Sequence, residues 1–185
     1  MADASEQELV RLTRSGNLDA FGELVRRHQN GVFSACYRVL GNREEAEDVT
    51  QEAFLRGFQR LHQYDVERPF GPWIRRVGAN LALNRMAHNL AIHPPALELE
   101  DELDWPVQEE PDPAHTAAER AEERERLQHS LLGLPPHYRA VIELRHFQEM
   151  SYQEIAARLR IPVSDVKSHL FRARRALARS LRDGG

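Results

Sequence analysis

Between His93 and Thr116 the chain has five prolines, eight acidic residues, no Lys or Arg, and no apolar periodicity. Each proline removes a backbone donor and restricts φ, and a run of like charges repels itself. Such a segment buries too little apolar surface to offset the entropy of ordering it. A flexible acidic linker is therefore expected over residues 93–118. It divides the 185 residues into two blocks, 1–92 and 119–185, and each must build a core of its own.

Both blocks read as helical. Ser5 with Glu8 resembles a capping box, while Gly16-Asn17 and Gly41-Asn42 each set a helix-ending glycine beside a helix-starting asparagine. Three helices to about Leu61 follow. Within them Phe21, Leu24, Val25, His28, Val32, Val39 and Leu40 recur at steps of three and four, as do Ala46, Val49, Ala53, Gly57 and Leu61 on the next helix. These stripes are core. "HQYDVERPFGPW" is a loop, and a helix starting near Pro72 and running to about Asn89 buries Ile74, Val77 and Leu81. Gly78 in its middle suggests close packing.

In the second block "GLPP" is a break, Pro136 starts a helix through about Phe147, and Ser151 with Glu154 forms another capping box. Ile155 and Leu159 face inward from one short helix, Ile161 sits in a turn, and Val166 and Leu170 face inward from a second helix that Ser164 can cap. That pattern fits a helix-turn-helix. No segment shows strand period, so the expected class is all-α: a helical bundle and a helix-turn-helix domain.

Charge is segregated between these parts. The overall net charge is −4, but residues 94–119 carry nine acids and no bases, and Arg158 to Arg182 holds eight bases against Asp165 alone. A helix so charged can enter a major groove and neutralise phosphates, or it can be a solvated arginine-rich surface. In the first reading Ser164, Lys167, Ser168, His169 and Arg172 reach base edges, while Arg174, Arg175 and Arg179 meet phosphates.

Two faces of the first block have a different chemistry. Asp48, Gln51, Glu52 and Leu55 cluster at helical spacing, an acidic patch with an apolar neighbour that suits a basic protein partner or is an ordinary solvated face. Trp73, Arg76, Asn80 and Asn84 share another face. An aromatic, a cation and two amides can stack on and hydrogen-bond unpaired bases, although a packed Trp with polar neighbours has the same pattern.

Other classes find little support. There is no phosphate-cradling glycine loop and no nucleophile with an orienting base, and His88 and His93 lack the spacing and carboxylates of a metal site; neither enzyme activity, a metal nor a cofactor is expected. The single cysteine, Cys36, lies among helix formers and reads as a small buried hydrophobe. With no secretory signal and no apolar run of membrane-spanning length, a cytoplasmic location without membrane insertion is expected.

Taken together, "DAFGELVRRHQNGVFSACYRVLGNREEAEDVTQEAFLRGFQRL", "PFGPWIRRVGANLALNRMAH" and "LPPHYRAVIELRHFQEMSYQEIAARLRIPVSDVKSHLFRARRAL" closely resemble the extracytoplasmic-function (group 4) sigma factors of bacterial RNA polymerase, in the sigma-70 family. The resemblance implies that residues 1–92 dock on core polymerase and recognise and melt the minus-ten element, and that residues 119–185 read the minus-thirty-five element. It implies that Asp48, Gln51, Glu52 and Leu55 dock on the coiled coil of the largest subunit. Arg68, Phe70, Trp73, Arg76, Asn80 and Asn84 would melt the duplex and capture a base of the non-template strand. Lys167, Ser168, Phe171 and Arg172 match recognition-helix positions.

Further partners implied are the polymerase flap and an anti-sigma factor, and the linker would thread the active cleft and RNA exit channel. Promoter DNA would be met both as duplex and as single strand. Two rivals remain at this point: a stand-alone regulator using only its helix-turn-helix, with the first block as a sensor, and an adaptor that only binds polymerase.

Overall fold

The computed structural model describes residues 4–92 and 117–183. The chain divides into two units at Ile92, so the proposed linker falls largely outside the described residues. Among the described residues every regular element is helical.

Unit 1 is built from α1 (Glu6–Arg14), α2 (Leu18–Leu40), α3 (Arg43–Arg60) and α4 (Phe70–Ile92), with a 3-10 turn at Leu61–Gln63. The caps act as their residue types predict, although the Ser5–Glu8 pair forms only the half of a capping box in which Ser5 accepts. Ser5 Oγ accepts from Glu8 N–H, Asn17 Oδ1 from Ala20 N–H and Asn42 Oδ1 from Glu45 N–H. Gly41 ends α2 in the left-handed region at φ 72°, where an L side chain would be strained.

On α2 and α3, Leu24, Val32, Val39, Ala46, Val49, Ala53 and Leu61 are buried as expected, with Cys36 among them, whereas Phe21, Val25, His28 and Leu40 of the expected stripe are only half-buried. On α4 the buried set differs from the expected one. Val77 and Leu81 are only half-buried, and the interior is lined by Ile74, Gly78, Ala79, Ala82, Leu83 and Met86. The reason is that α4 packs against both α2 and α3, so its buried arc is wide and has the small residues Gly78, Ala79 and Ala82 in its middle. A Cβ at Gly78 would lie 2.7 Å from Val32 Cγ1 and 3.1 Å from Cys36 Sγ. Only glycine permits that approach of α4 to α2, which outweighs its helix-propensity cost of about 1 kcal/mol.

Unit 2 comprises α5 (Ala117–Leu132), α6 (Pro136–Ile142), a π-helical turn (Glu143–Phe147), α7 (Tyr152–Leu159) and α8 (Val163–Asp183). The helix expected to run from Pro136 to about Phe147 therefore widens after two turns: Gln148 N–H bonds Glu143 O and Met150 N–H bonds Leu144 O. The Ser151–Glu154 capping box forms with both reciprocal bonds, at 3.2 and 2.8 Å. Leu144, Ile155, Val166 and Leu170 are the interior of the helix-turn-helix.

Its turn holds two details that residue spacing alone did not disclose. Arg160, not a glycine, takes the left-handed cap position at φ 57°. The second helix starts at Val163, with Pro162 O accepting from Asp165 and Val166 N–H. Ser164 thus lies inside the first turn, where its Oγ–H donates to Asp165 Oδ1 at 3.2 Å, and it is not the cap expected of it.

Candidate functional site

In unit 2 the cationic face lies along α8. Ser164, Lys167, Ser168 and Arg175 are exposed, and Phe171, Arg172 and Arg174 are half-buried. Side chains at 164, 168, 171, 172 and 175 follow steps of three and four, so they form one continuous strip of a single helix. The buried Val166, Leu170 and Ala173 seat the opposite side in the core.

Arg174 is held in place, with Nη2 3.2 Å from His146 Nε2 of the π turn. His169 departs from the open face expected of it. Its ring is half-buried, 5.0 Å from His137 and 5.6 Å from Tyr138 of α6. Burial holds the His169 imidazole below its ordinary value; Asp165 opposes the shift and Arg172 reinforces it. A neutral ring wedged against α6 suits orientation of α8 better than base contact.

The α3 face in unit 1 is less anionic than residue spacing implied. Asp48 and Gln51 are exposed, and Leu55 is 65% exposed with Phe58 beside it at 40%. Glu52, however, lies 2.6 Å from Arg56 Nη2 and 4.0 Å from Arg85 Nη2 of α4. The second of these cations comes from a helix that the reading of α3 did not include. What remains open is a carboxylate, an amide and an exposed leucine, a surface that can take both a cation and an apolar side chain.

The third surface is at the junction of α3 and α4. Trp73 is half-buried, its ring 4.8 Å from Tyr64 and 5.5 Å from Phe70, while Arg76 and Asn84 are exposed and Asn80 is half-buried on the same helix face. One side of the Trp73 ring thus packs and part of it stays accessible. Arg68 projects from the loop with its side chain 80% exposed, 3.3 Å from Asp65 Oδ2.

Phe70, expected to contact a DNA strand, presents no exposed surface. It is fully buried, edge-on to Tyr64 and 5.4 Å from the His28 ring, so it can support the loop but cannot touch a strand in this conformation. Tyr64, which spacing did not single out, links these parts: its hydroxyl donates to Arg68 O. Burial, with Glu6 and Asp65 next in effect, pushes the Tyr64 phenol up, which keeps it a neutral donor.

Among the described residues no group of His, Cys, Asp and Glu is arranged to hold a metal ion. No described helix is long and apolar enough to cross a membrane.

Comparison with known proteins agrees with this division into two units. Residues 24–90 match the family model for sigma-70 region 2, and residues 124–177 match that for sigma-70, region 4. The chain is 32% identical to the ECF RNA polymerase sigma factor SigW of Bacillus subtilis, over 94% of this chain and 95% of that protein. It is 32% identical to the ECF RNA polymerase sigma-E factor of Escherichia coli K12, over 94% of this chain and 92% of that protein. A solved complex of CnrH with the cytosolic domain of CnrY is 27% identical, covering 97% of this chain and 99% of that one with a TM-score of 0.49. With two region models in order and relatives at this identity along nearly its whole length, the chain belongs to the extracytoplasmic-function sigma factors of the sigma-70 family, which are transcription initiation factors and not enzymes.

Proposed function

We propose that the protein binds core RNA polymerase and directs promoter-specific initiation, reading the minus-thirty-five element with α8 and melting and capturing the minus-ten element with the α3–α4 junction. An anti-sigma factor holds it inactive until it is needed. The observation that carries this reading is chemical: the chain offers a cationic helix strip in unit 2, an aromatic–amide–cation face in unit 1, and on α3 a separate face with the opposite character.

Lys167, Ser168 and Arg172 reach base edges in the major groove, and Arg174 and Arg175 meet phosphates. Ser164 and Phe171 lie on the same strip, and His169 orients the helix through α6. Trp73 stacks on an unpaired base, Asn80 and Asn84 hydrogen-bond to base edges, and Arg68 and Arg76 meet the strand's phosphates. Phe70 supports this surface from beneath. Asp48, Gln51, Glu52 and Leu55 dock on the basic coiled coil of the largest polymerase subunit, and unit 2 meets the flap.

A run-off transcription assay with core polymerase and promoter fragments tests the reading. Start-site-specific transcripts are expected, and Asp48→Arg combined with Gln51→Ala abolishes them by removing core binding while the helical circular dichroism stays native. Trp73→Ala with Asn80→Ala lowers strand opening on a permanganate footprint more than closed-complex formation. A footprint on duplex DNA without polymerase, and no transcript with it, would instead identify a stand-alone regulator.

A further inference from the structure

The strand-facing loop between α3 and α4 is fastened at both of its ends by one helix, α1, which lies outside the residues matched by the region 2 family model. At the start of the loop, Arg14 Nε and Nη2 donate to Leu61 O at 3.1 and 2.8 Å, and Nη2 donates also to Tyr64 O. At its end, Glu6 Oε2 accepts from Phe70 N–H at 3.1 Å, and Glu6 Oε1 lies 2.9 Å from His28 Nε2. The charges are placed as the helix termini require. A guanidinium meets the Leu61 carbonyl, which also accepts from Tyr64 N–H at 3.2 Å, and the Tyr64 carbonyl beyond the 3-10 turn, while a carboxylate meets an orphan N–H where α4 begins.

Between these two ties the loop is held by its own groups. Phe70 is sealed under Tyr64 and Trp73, and Tyr64 O–H donates to Arg68 O. Asp65, Glu67, Arg68 and Pro69 stay exposed. An exposed loop of this kind ordinarily samples many conformations, and each must be given up when a strand is captured. Here the fixed ends leave only the tip to order.

We propose that Arg14 and Glu6 are positioning residues for strand capture, fixing the backbone that carries Arg68, Phe70 and Trp73 without touching DNA themselves. The proposal rests on the strand-capture reading of that loop. A planar fork is needed at Arg14, because two carbonyls three residues apart are engaged by one side chain, and a lysine ammonium supplies the charge without that geometry.

The experiment uses the full chain assembled with core polymerase on a promoter carrying a fluorescent base in the minus-ten element. Core affinity, upstream-element binding, opening rate and thermal midpoint are measured for Arg14→Ala, Arg14→Lys, Glu6→Gln and, as a control, Trp73→Ala. Arg14→Ala is expected to slow opening about ten-fold, with core affinity and upstream binding within about two-fold of the parent. Arg14→Lys should recover part of the rate, and Glu6→Gln, which keeps an acceptor, should lose less than Arg14→Ala.

Opening at the parent rate in Arg14→Ala, with Trp73→Ala defective, would overturn the positioning role and leave the strand-capture reading in place. Parent-like opening in Trp73→Ala would overturn the reading beneath it. A loss of core affinity in step with opening would also sink the proposal, and parent-like opening in Arg14→Lys would overturn the need for a planar fork. The first is the signature of general destabilisation, and the second shows that charge alone fixes the loop.

Discussion

The two units present their candidate nucleic-acid surfaces in different ways. Unit 2 displays one strip of α8, in which neighbours in space are three or four residues apart in sequence. Unit 1 assembles its surface from the start of α4, the Tyr64–Pro69 loop and two side chains of α1, joined by hydrogen bonds that span 47, 50 and 64 residues. A surface on one helix needs only that the helix be seated. A surface made of several elements needs each of them held in register, and it fails if any one support is lost.

The largest expected effect is therefore at Phe70. Its truncation to Ala opens a cavity beneath Tyr64 and Trp73 and should cost unit 1 about 3–5 kcal/mol. Hydrogen exchange reads this directly, because amides of α2 and α4 should lose protection while those of α6 and α8 keep theirs. An equal loss in both units would mean that they unfold as one, and the contrast between them would fall.

Acid should separate the units by pH window. His137, His146 and His169 of unit 2 are each held below the ordinary imidazole value of 6.5, chiefly by burial. The unfolded chain then binds more protons than the folded one below that value, so unit 2 loses stability as pH falls from 6.5. In unit 1, hydrogen bonds from Arg26 and Arg27 lower Glu23 from 4.5 to about 2. That contribution is present above 4.5 and is lost as pH falls from 4.5 towards about 2. Urea midpoints read at α8 should decline first, and His169→Gln should flatten that decline. Parallel curves for α2 and α8 would erase the distinction.

The smallest effect sharpens the comparison within the helix-turn-helix. Arg160→Gly relieves a side chain from the left-handed region at φ 57° and should stabilise unit 2 by about 1 kcal/mol. Unchanged urea midpoints at α7 and α8 would show that the turn tolerates its arginine without strain.

Much of the architecture was legible along the chain. Helix starts at Asn17, Asn42 and Ser151 could be read because a cap is a local hydrogen bond between residues three apart. The cationic strip of α8 was legible for the same reason. The Ser164 cap was misplaced because Pro162 already supplies the carbonyl and dihedral of a helix start, which moves the first turn two residues earlier. Val77 and Leu81 were misread as core because hydrophobicity marks what can be buried, whereas the two helices flanking α4 decide how closely its backbone must approach.

Glu52, Phe70 and His169 show the limit of spacing as a guide to site residues. Each sits on the expected helix face or loop, yet Arg85, Tyr64 and His137, all from other elements, change what it can do. Arg14 and Glu6 carry no motif at all, and the carbonyls and N–H they bind lie 47 to 64 residues away.

By itself the sequence determined the all-helical class, the division at the acidic segment, the caps and the basic helix, because all of these depend on composition or on contacts within a few residues. Tertiary structure alone decided which aromatic is a buried support and which is accessible, that Glu52 finds a second cation in Arg85, and that α1 ties down both ends of the loop. Those outcomes depend on distances between residues far apart in the chain, and no local spacing encodes them.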